Sequence, residues 1–338
     1  MKTRWVGFSL MLAGLALLVA ACLTPSSAEE LTIYSSRTQS LVQPLLEQFA
    51  RDTGIDIKVR YDTTASIVAT VLEEGANSPA DVVYLAESSG LAALSKAGLL
   101  APLPDDAINA VDQRFRSPKG EWVGTSGRAK TIVYNVDTID PERDLPDSVM
   151  DFTDPKWRGR IGWAPTHGEW QLLVTGIRLV KGDEEARRWL EGIKANEPKV
   201  YPNLISIVHA VANGEVDVGF VNHYYVPRLM KERGPDFKAR NHFLGHGDPG
   251  ALVDVAGVGV LQASQRKRSA EEFVRYLLSK PAQEYFAQQT FEYPLSAGVE
   301  PVGDLPPLET LDPPQIDPDQ LADLEGTLQL LRTTGVLP

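Results

Sequence analysis

The sequence predicts a two-lobed α/β fold, with mixed sheets, flanking helices and a hinged cleft between the lobes. Three observations lead there. Strand-like and helix-like apolar periodicities alternate from residue 31 onward, as they do where helices cover a sheet. The chain has 338 residues, enough for two ordinary domains rather than one core. A Gly-rich, extended stretch at 245–261 suits a return crossing into the first unit.

Residues 31–34 and 55–61 read as strands around an amphipathic helix at 41–51, because the apolar spacing switches between period two and period 3.6. Residues 65–74 read as helix, 81–85 as strand and 91–97 as helix. This βαβαβα rhythm indicates largely parallel strands covered on both faces. A second unit opens at Trp122 and runs through the extended Thr131-Ile132-Val133-Tyr134 to Asn135. Residues 169–179 and 183–195 are helical in spacing, the latter strongly charged on one face, and 216–221 is a short apolar strand. Residues 253–261 are extended, while 270–278 and 282–289 read as helices. The Pro- and Asp-rich stretch 301–319 wraps the surface, and 321–331 has helical spacing. The expected lobes are 30–126 with 252–292, and 127–251 with 293–338. There is no internal repeat and no low-complexity tract.

The N-terminus has the pattern of a secretory signal peptide: Lys2 and Arg4, an apolar segment from Val6 to Leu18, then Val19-Ala20-Ala21. Cys22, the only cysteine, follows at once and looks like the lipidated residue of a bacterial lipobox. The expectation is a signal peptide over 1–21 and a lipidated linker over 22–29. The apolar run is shorter than the roughly 20 residues that span a bilayer. Since one acyl chain binds a membrane only reversibly, a durable anchor needs several. The expected location is the periplasm or the outer face of the cytoplasmic membrane. Loss of Lys2 and Arg4 moves the formal net charge from −12 to −14. This acidic balance, with no basic stripe, argues against nucleic acid as a partner.

Tyr224 and Tyr225 close the run Val218-Gly219-Phe220-Val221-Asn222-His223. An apolar strand ending in Asn-His-Tyr-Tyr sets two phenols, an amide and an imidazole at a strand end, where open α/β sheets bind ligands. Two phenolates form a hard anionic grip suited to a ferric ion. A free tyrosine titrates near ~10, but a bound trivalent cation favours deprotonation, as metals do for water and thiols. The alternative is a tyrosine pair packed in a hinge or core. On a strand, His223 faces opposite Asn222, so it either reaches the site or is packed away. His242 and His246 are four apart, but Gly245 and Gly247 argue against the helix that would pair them.

Several segments, jointly specific and spread over nearly the whole mature chain, resemble the periplasmic ferric-ion-binding proteins of ABC importers. These belong to the type 2 extracellular solute-binding proteins, and the resemblance implies the type II periplasmic binding protein fold. The segments include Tyr34-Ser35-Ser36-Arg37, Ala80-Asp81-Val82-Val83-Tyr84, Gly127-Arg128-Ala129-Lys130-Thr131, Asp154-Pro155-Lys156-Trp157-Arg158-Gly159, Ala164-Pro165-Thr166-His167-Gly168, Asn222-His223-Tyr224-Tyr225, Gly247-Asp248-Pro249-Gly250 and Glu292-Tyr293-Pro294-Leu295. The resemblance implies that Tyr224 and Tyr225 bind Fe3+, that carbonate or phosphate completes the shell as a synergistic anion, and that a monomer delivers the ion to an ABC permease. It places Arg37, Arg128 and Asn222 along the cleft. The Thr166-His167-Gly168 turn leads into a helix whose N-terminus attracts an anion.

The chain departs from that pattern at other ligand positions. Where one branch has a histidine after the first strand, this chain has Thr38, followed by Gln39. Where that branch has a carboxylate after the third strand, it has Ala86, with Glu87 one place on. Where another branch has a further tyrosine, it has Glu169, which reads equally as a carboxylate ligand or as a first-turn acid favoured by the helix dipole.

The rival within the same fold is capture of an organic ligand or oxyanion without metal, such as a polyamine, thiamine or a phosphonate; Arg37 and Arg128 suit an anionic one. A sensor partner sharing the fold is a third reading. An enzyme is not expected: no Gly-x-Ser-x-Gly elbow, His-Glu-x-x-His helix or phosphate-binding Gly-rich loop is present. Ser35 and Ser36 have no evident base, and Cys22 is committed to the anchor.

Overall fold

A computed structural model describes residues 29–338. The export segment 1–21 and Cys22 lie outside the described residues. The first lobe begins with β1 (Glu30–Ser35), α1 (Gln39–Thr53), β2 (Asp56–Tyr61), α2 (Thr64–Glu74), β3 (Val82–Leu85), α3 (Ser88–Lys96) and the single-turn α4 (Asp105–Ile108). Helix α1 buries Val42, Leu45, Leu46 and Phe49 and stops where Gly54 turns left-handed, its N–H donating to the Ala50 carbonyl. A left-handed residue just past the last turn satisfies a carbonyl that would otherwise be orphaned, and glycine adopts it without steric cost. β1 pairs in parallel with both β2 and β3, as βαβ connections require.

The 14-residue β4 (Trp122–Asn135), buried throughout, is the spine of the molecule. Its first half pairs antiparallel with β9 (Val253–Val260), and β9 in turn lies beside β3. Its second half pairs antiparallel with β7 (Val218–Asn222) and β8 (Ala239–His242). The second lobe also holds α5 (Pro141–Asp144), β5 (Ile161–Trp163), α6 (Gly168–Lys181), α7 (Asp183–Ala195), β6 (Lys199–Val200), α8 (Leu204–Ala212) and α9 (Tyr225–Arg233). In α7, Asp183, Glu184 and Glu185 occupy the first turn while Ala186, Trp189, Leu190 and Ile193 are buried, so charge and apolar stripe both favour the helix. The chain then returns through β9, α10 (Lys267–Leu278), α11 (Lys280–Tyr285) and β10 (Tyr293–Pro294), and ends in α12 (Leu324–Thr333).

The strand order β2-β1-β3-β9-β4-β7-β5-β6 is mixed. The parallel rhythm of the first three strands holds locally, but β9 and β4 enter antiparallel because the chain leaves for the second lobe and comes back. Two large apolar cores flank the midpoint of β4. One gathers residues from Leu31 to Ala129 and from Val253 to Leu311; the other runs from Ile132 to Ala251 and takes in Leu330 and Leu331. Tyr293, Leu295 and Leu311 lie in the first core, held there by the pairing of β10 with Ser126 and Gly127 of β4. Among the described residues, no helix is long and apolar enough to cross a membrane.

Gly219, in the middle of β7, lies so close to α8 that a Cβ would fall 2.2 Å from Cγ2 of Ile207. Gly219→Ala is therefore expected to destabilise the protein by ~1–3 kcal/mol through overpacking, seen as a lower urea midpoint. An unchanged midpoint would show that α8 yields freely.

Candidate functional site

Alternation along β4 sends Ser126, Arg128 and Lys130 to one face, at the point where the strand passes between the two cores. Arg128 is cross-strand from Asp254 of β9, and its Nη2 donates to Asp254 Oδ2 at 3.2 Å. Nη1 forms an ion pair with Glu169. Lys130, cross-strand from Asn222, donates from Nζ to Glu169 Oε2 at 2.5 Å and to Asn222 Oδ1 at 2.8 Å. Ser88 Oγ donates to the other Asp254 oxygen at 2.5 Å. All of these side chains are buried, so each charge needs the partner it has.

Glu169 sits in the first turn of α6, and its N–H donates to Nδ1 of the capping His167 at 3.3 Å. Burial alone would raise the Glu169 pKa; Arg128 and Lys130 override it and hold the carboxyl well below its ordinary range. Of the two roles read from the sequence, Glu169 takes the place of a first-turn acid, and its carboxylate faces the side-chain cations Arg128 and Lys130.

Tyr224 and Tyr225 lie where β7 gives way to α9, with ring centroids 4.4 Å apart and planes inclined at 40°. Tyr224 is 7% exposed and Tyr225 is half-buried. Burial raises both phenol pKa values. For Tyr224 the Arg128 charge opposes that rise and Glu169 adds to it; for Tyr225 the neighbouring Tyr224 and then Glu169 push further upward. Without a bound cation, both phenols keep their protons at neutral pH.

His223 is fully buried. Its Nδ1 accepts the Ala129 N–H at 3.1 Å, so Nε2 carries the proton and donates to the Phe291 carbonyl at 2.9 Å. Burial lowers its pKa to about 4, which keeps the ring neutral. Of its two sequence readings, the packed one describes its place in the structure.

The remaining candidates are spread over the two lobes. Thr166 and Gly168 are exposed at the start of α6, with His167 half-buried between them. Glu87 of the first lobe faces them: a Cβ on Gly168 would lie 3.8 Å from its Oε1. Burial, then the Glu169 charge, raise the Glu87 pKa to about 7. Arg37 gives both terminal nitrogens to Glu292 at 2.8 and 2.6 Å. Glu292 also accepts from Ser126 Oγ and Thr290 Oγ1, each at 3.0 Å. Among the described residues, the buried donors without a partner include Arg37 Nε, Arg128 Nε and Asn222 Nδ2. Among the described residues, no cluster of three His, Cys, Asp or Glu side chains is arranged to hold a metal ion.

Lys130, Asp254 and Glu292 were not singled out in the sequence. The two-residue spacing of Arg128 and Lys130 on a strand was a usable signal for the first of them, because it puts both cations on one face.

A family model described as bacterial extracellular solute-binding protein matches residues 45–310. The major ferric iron-binding protein of Neisseria meningitidis serogroup B is 36% identical over 326 residues, covering 95% of this chain and 98% of that one. The crystal structure of iron-bound HitA from Pseudomonas aeruginosa is 39% identical with a TM-score of 0.85, covering 91% of this chain and 99% of that one. IdiA (FutA) of Trichodesmium, in complex with iron and citrate, is 27% identical with a TM-score of 0.78, covering 90% and 99%.

Burial alone would raise the Glu292 pKa, but Arg37 dominates and holds it at about 2, below an ordinary value of 4.5. A depressed carboxylate stabilises the fold fully above its unfolded pKa and loses that contribution as pH falls through the folded one. Glu292→Gln is therefore expected to cost ~3–5 kcal/mol at pH 7 by stranding a buried guanidinium. The difference from wild type should shrink between pH 4.5 and about 2. Urea titrations across that range check it, and a pH-independent difference would contradict the pairing.

Proposed function

The chain belongs to the bacterial extracellular solute-binding proteins, and from that premise we propose that it captures ferric ion with a synergistic anion and delivers it to an ABC importer. The observation that carries this reading is the pair Tyr224 and Tyr225, one buried and one half-buried, with ring centroids 4.4 Å apart at a strand end beside Arg128. Relatives that match nearly the full length include one named for ferric iron binding and one solved with iron bound. In this reading the phenols lose their protons to become hard anionic donors, which suits a hard trivalent cation.

Charge balance supports the anion. Arg128 and Lys130 are matched by Glu169 and Asp254, so that group carries no formal charge. Two phenolates against a trivalent cation leave one positive charge over, which the carbonate or phosphate neutralises when it binds as its monoanion. The free donors Arg128 Nε and Asn222 Nδ2, together with the N-terminus of α6, are suited to receive it. Glu169 serves this site as the counterion of Arg128 and Lys130, and Arg37 as the partner of Glu292. An organic anion without metal is less well served, because Arg37 and Arg128 already give their terminal nitrogens to carboxylates and each keeps only its Nε free. In the same proposal the protein is an exported monomer, held at the membrane through Cys22.

Apo protein mixed with ferric citrate and bicarbonate is expected to turn orange to purple from tyrosinate-to-iron charge transfer, and Tyr224→Phe with Tyr225→Phe to abolish the colour. A colourless wild type would overturn the ferric reading. Loading at a thousandfold excess over Kd should stabilise the fold by about 4 kcal/mol, whereas polyamines and phosphonates should leave the melting temperature unchanged.

Because burial raises both phenol pKa values, binding must expel their protons. Affinity measured against a competing chelator should fall on the order of a hundredfold per pH unit as pH decreases. A flat profile would mean that the phenols are not ligands.

A further inference from the structure

His223 bonds to β4, to β8 and to the segment leading into β10, and it uses all its polar atoms to do so. Its N–H donates to the Ala129 carbonyl at 3.0 Å, and its ring Nδ1 accepts the Ala129 N–H at 3.1 Å. The ring nitrogen thereby stands in for a backbone carbonyl and carries the β4–β7 ladder one residue past Asn222. Its own carbonyl accepts from Asn241 Nδ2 of β8 at 2.7 Å.

The remaining atom, Nε2, donates to the Phe291 carbonyl. That partner is different in kind, because Val221 and Val226 on either side of His223 belong to the second core, whereas Phe286 and Tyr293 flanking Phe291 belong to the first. The bond joins the two lobes.

Its far end is a fixed anchor. Phe291 sits at φ 58°, a left-handed conformation costly for a bulky residue and retained only where its surroundings over-determine it. The next residue, Glu292, is clamped by Arg37, Ser126 and Thr290, and Tyr293 pairs with Gly127 of β4. Against that anchor the His223 ring packs on Tyr293 with centroids 4.7 Å apart and presents its edge to Tyr224 at 5.8 Å.

We propose that His223 is a positioning residue: a neutral hydrogen-bonded pin between the lobes that fixes the seat of Tyr224 and Tyr225, so that the angle between the lobes and the geometry of the phenol pair are set together. It acts through the backbone and through ring packing, without contacting the cation. The proposal rests on the tyrosine-ligand reading for its consequence on metal binding. The pin itself does not need metal to be observed.

Two near-isosteres separate its two nitrogens. In His223→Asn the amide oxygen takes the place of Nδ1 and keeps the Ala129 contact, but nothing reaches Phe291. In His223→Gln the amide nitrogen reaches the Phe291 carbonyl. With gallium(III) and bicarbonate as a diamagnetic probe, the Asn variant should bind about tenfold more weakly, the scale of one lost buried hydrogen bond, and the Gln variant should retain more of the affinity. The ferric charge-transfer band should keep its wavelength in both, because the ligands are unchanged.

Nitrogen-15 spectra of labelled histidine should show Nε2 protonated and Nδ1 bare in metal-free and gallium-loaded wild type alike. Loss of the Nε2 proton or a metal-shifted nitrogen on loading would make His223 a ligand and overturn the proposal. A lowered melting temperature in His223→Asn with affinity unchanged would overturn it too, by reducing the residue to a structural one. If wild type takes up neither gallium nor iron, the tyrosine reading fails separately. The pin is then decided on metal-free protein, where His223→Asn should show a larger radius of gyration by solution scattering than wild type or His223→Gln, and equal radii would refute it.

Discussion

The cleft is built around the buried charge of Arg128. A guanidinium out of water is tolerated only when carboxylates meet it, and two do: Glu169 from the start of α6 and Asp254 from the returning strand β9. Lys130 shares Glu169 and takes Asn222 as well. Two cations and two carboxylates thus close a neutral knot where β4 passes from one core to the other. Because the knot is neutral, burial dominates the titration of the adjacent phenols, and their protons stay until a stronger charge displaces them. The same knot ties three separate stretches of chain, so the electrostatics of the site and the junction of the lobes are one construction.

This explains why the tyrosine pair can be buried and still be useful. A phenol in a dry environment remains neutral at low cost, unlike a carboxylate, which must be paired or protonated. In the proposed function, two neutral phenols wait at the junction of the lobes and become anions only against a cation of high charge. Glu87, held in the first lobe opposite Gly168 and Glu169, is the carboxylate least provided with counter-charge, and its pKa of about 7 reflects that. It faces the α6 N-terminus from across the cleft, so both lobes contribute to the electrostatic environment of the site.

Local structure was well legible in the sequence, because apolar spacing and helix ends are local signals. The helix read at 183–195 is α7, and that at 41–51 is the interior of α1. The strand read at 216–221 contains most of β7, and the phenol pair follows it as expected. Pairings between distant segments were not legible. Nothing near Arg37 signals Glu292, 255 positions away, and nothing near Arg128 signals Asp254, 126 positions away. In the sequence each arginine reads either as an anion receptor or as an ion-paired residue, and the structure pairs Arg37 with Glu292 and Arg128 with Glu169 and Asp254. The seating of Tyr293, Leu295 and Leu311 in the first core has the same origin, since it depends on β10 finding β4. His223 was legible as a choice between reaching the site and packing away, and only its contacts with Ala129 and Phe291 decide it.

In the proposed function, two phenolates from adjacent residues grip the cation. Resonance Raman scattering excited in the visible band of the iron-loaded protein tests it most directly. Enhanced tyrosinate ring modes are expected that shift when tyrosine is ring-deuterated and are lost when both Tyr224 and Tyr225 are replaced by phenylalanine. Iron-loaded protein whose spectrum lacks those modes, or keeps them without Tyr224 and Tyr225, would contradict it.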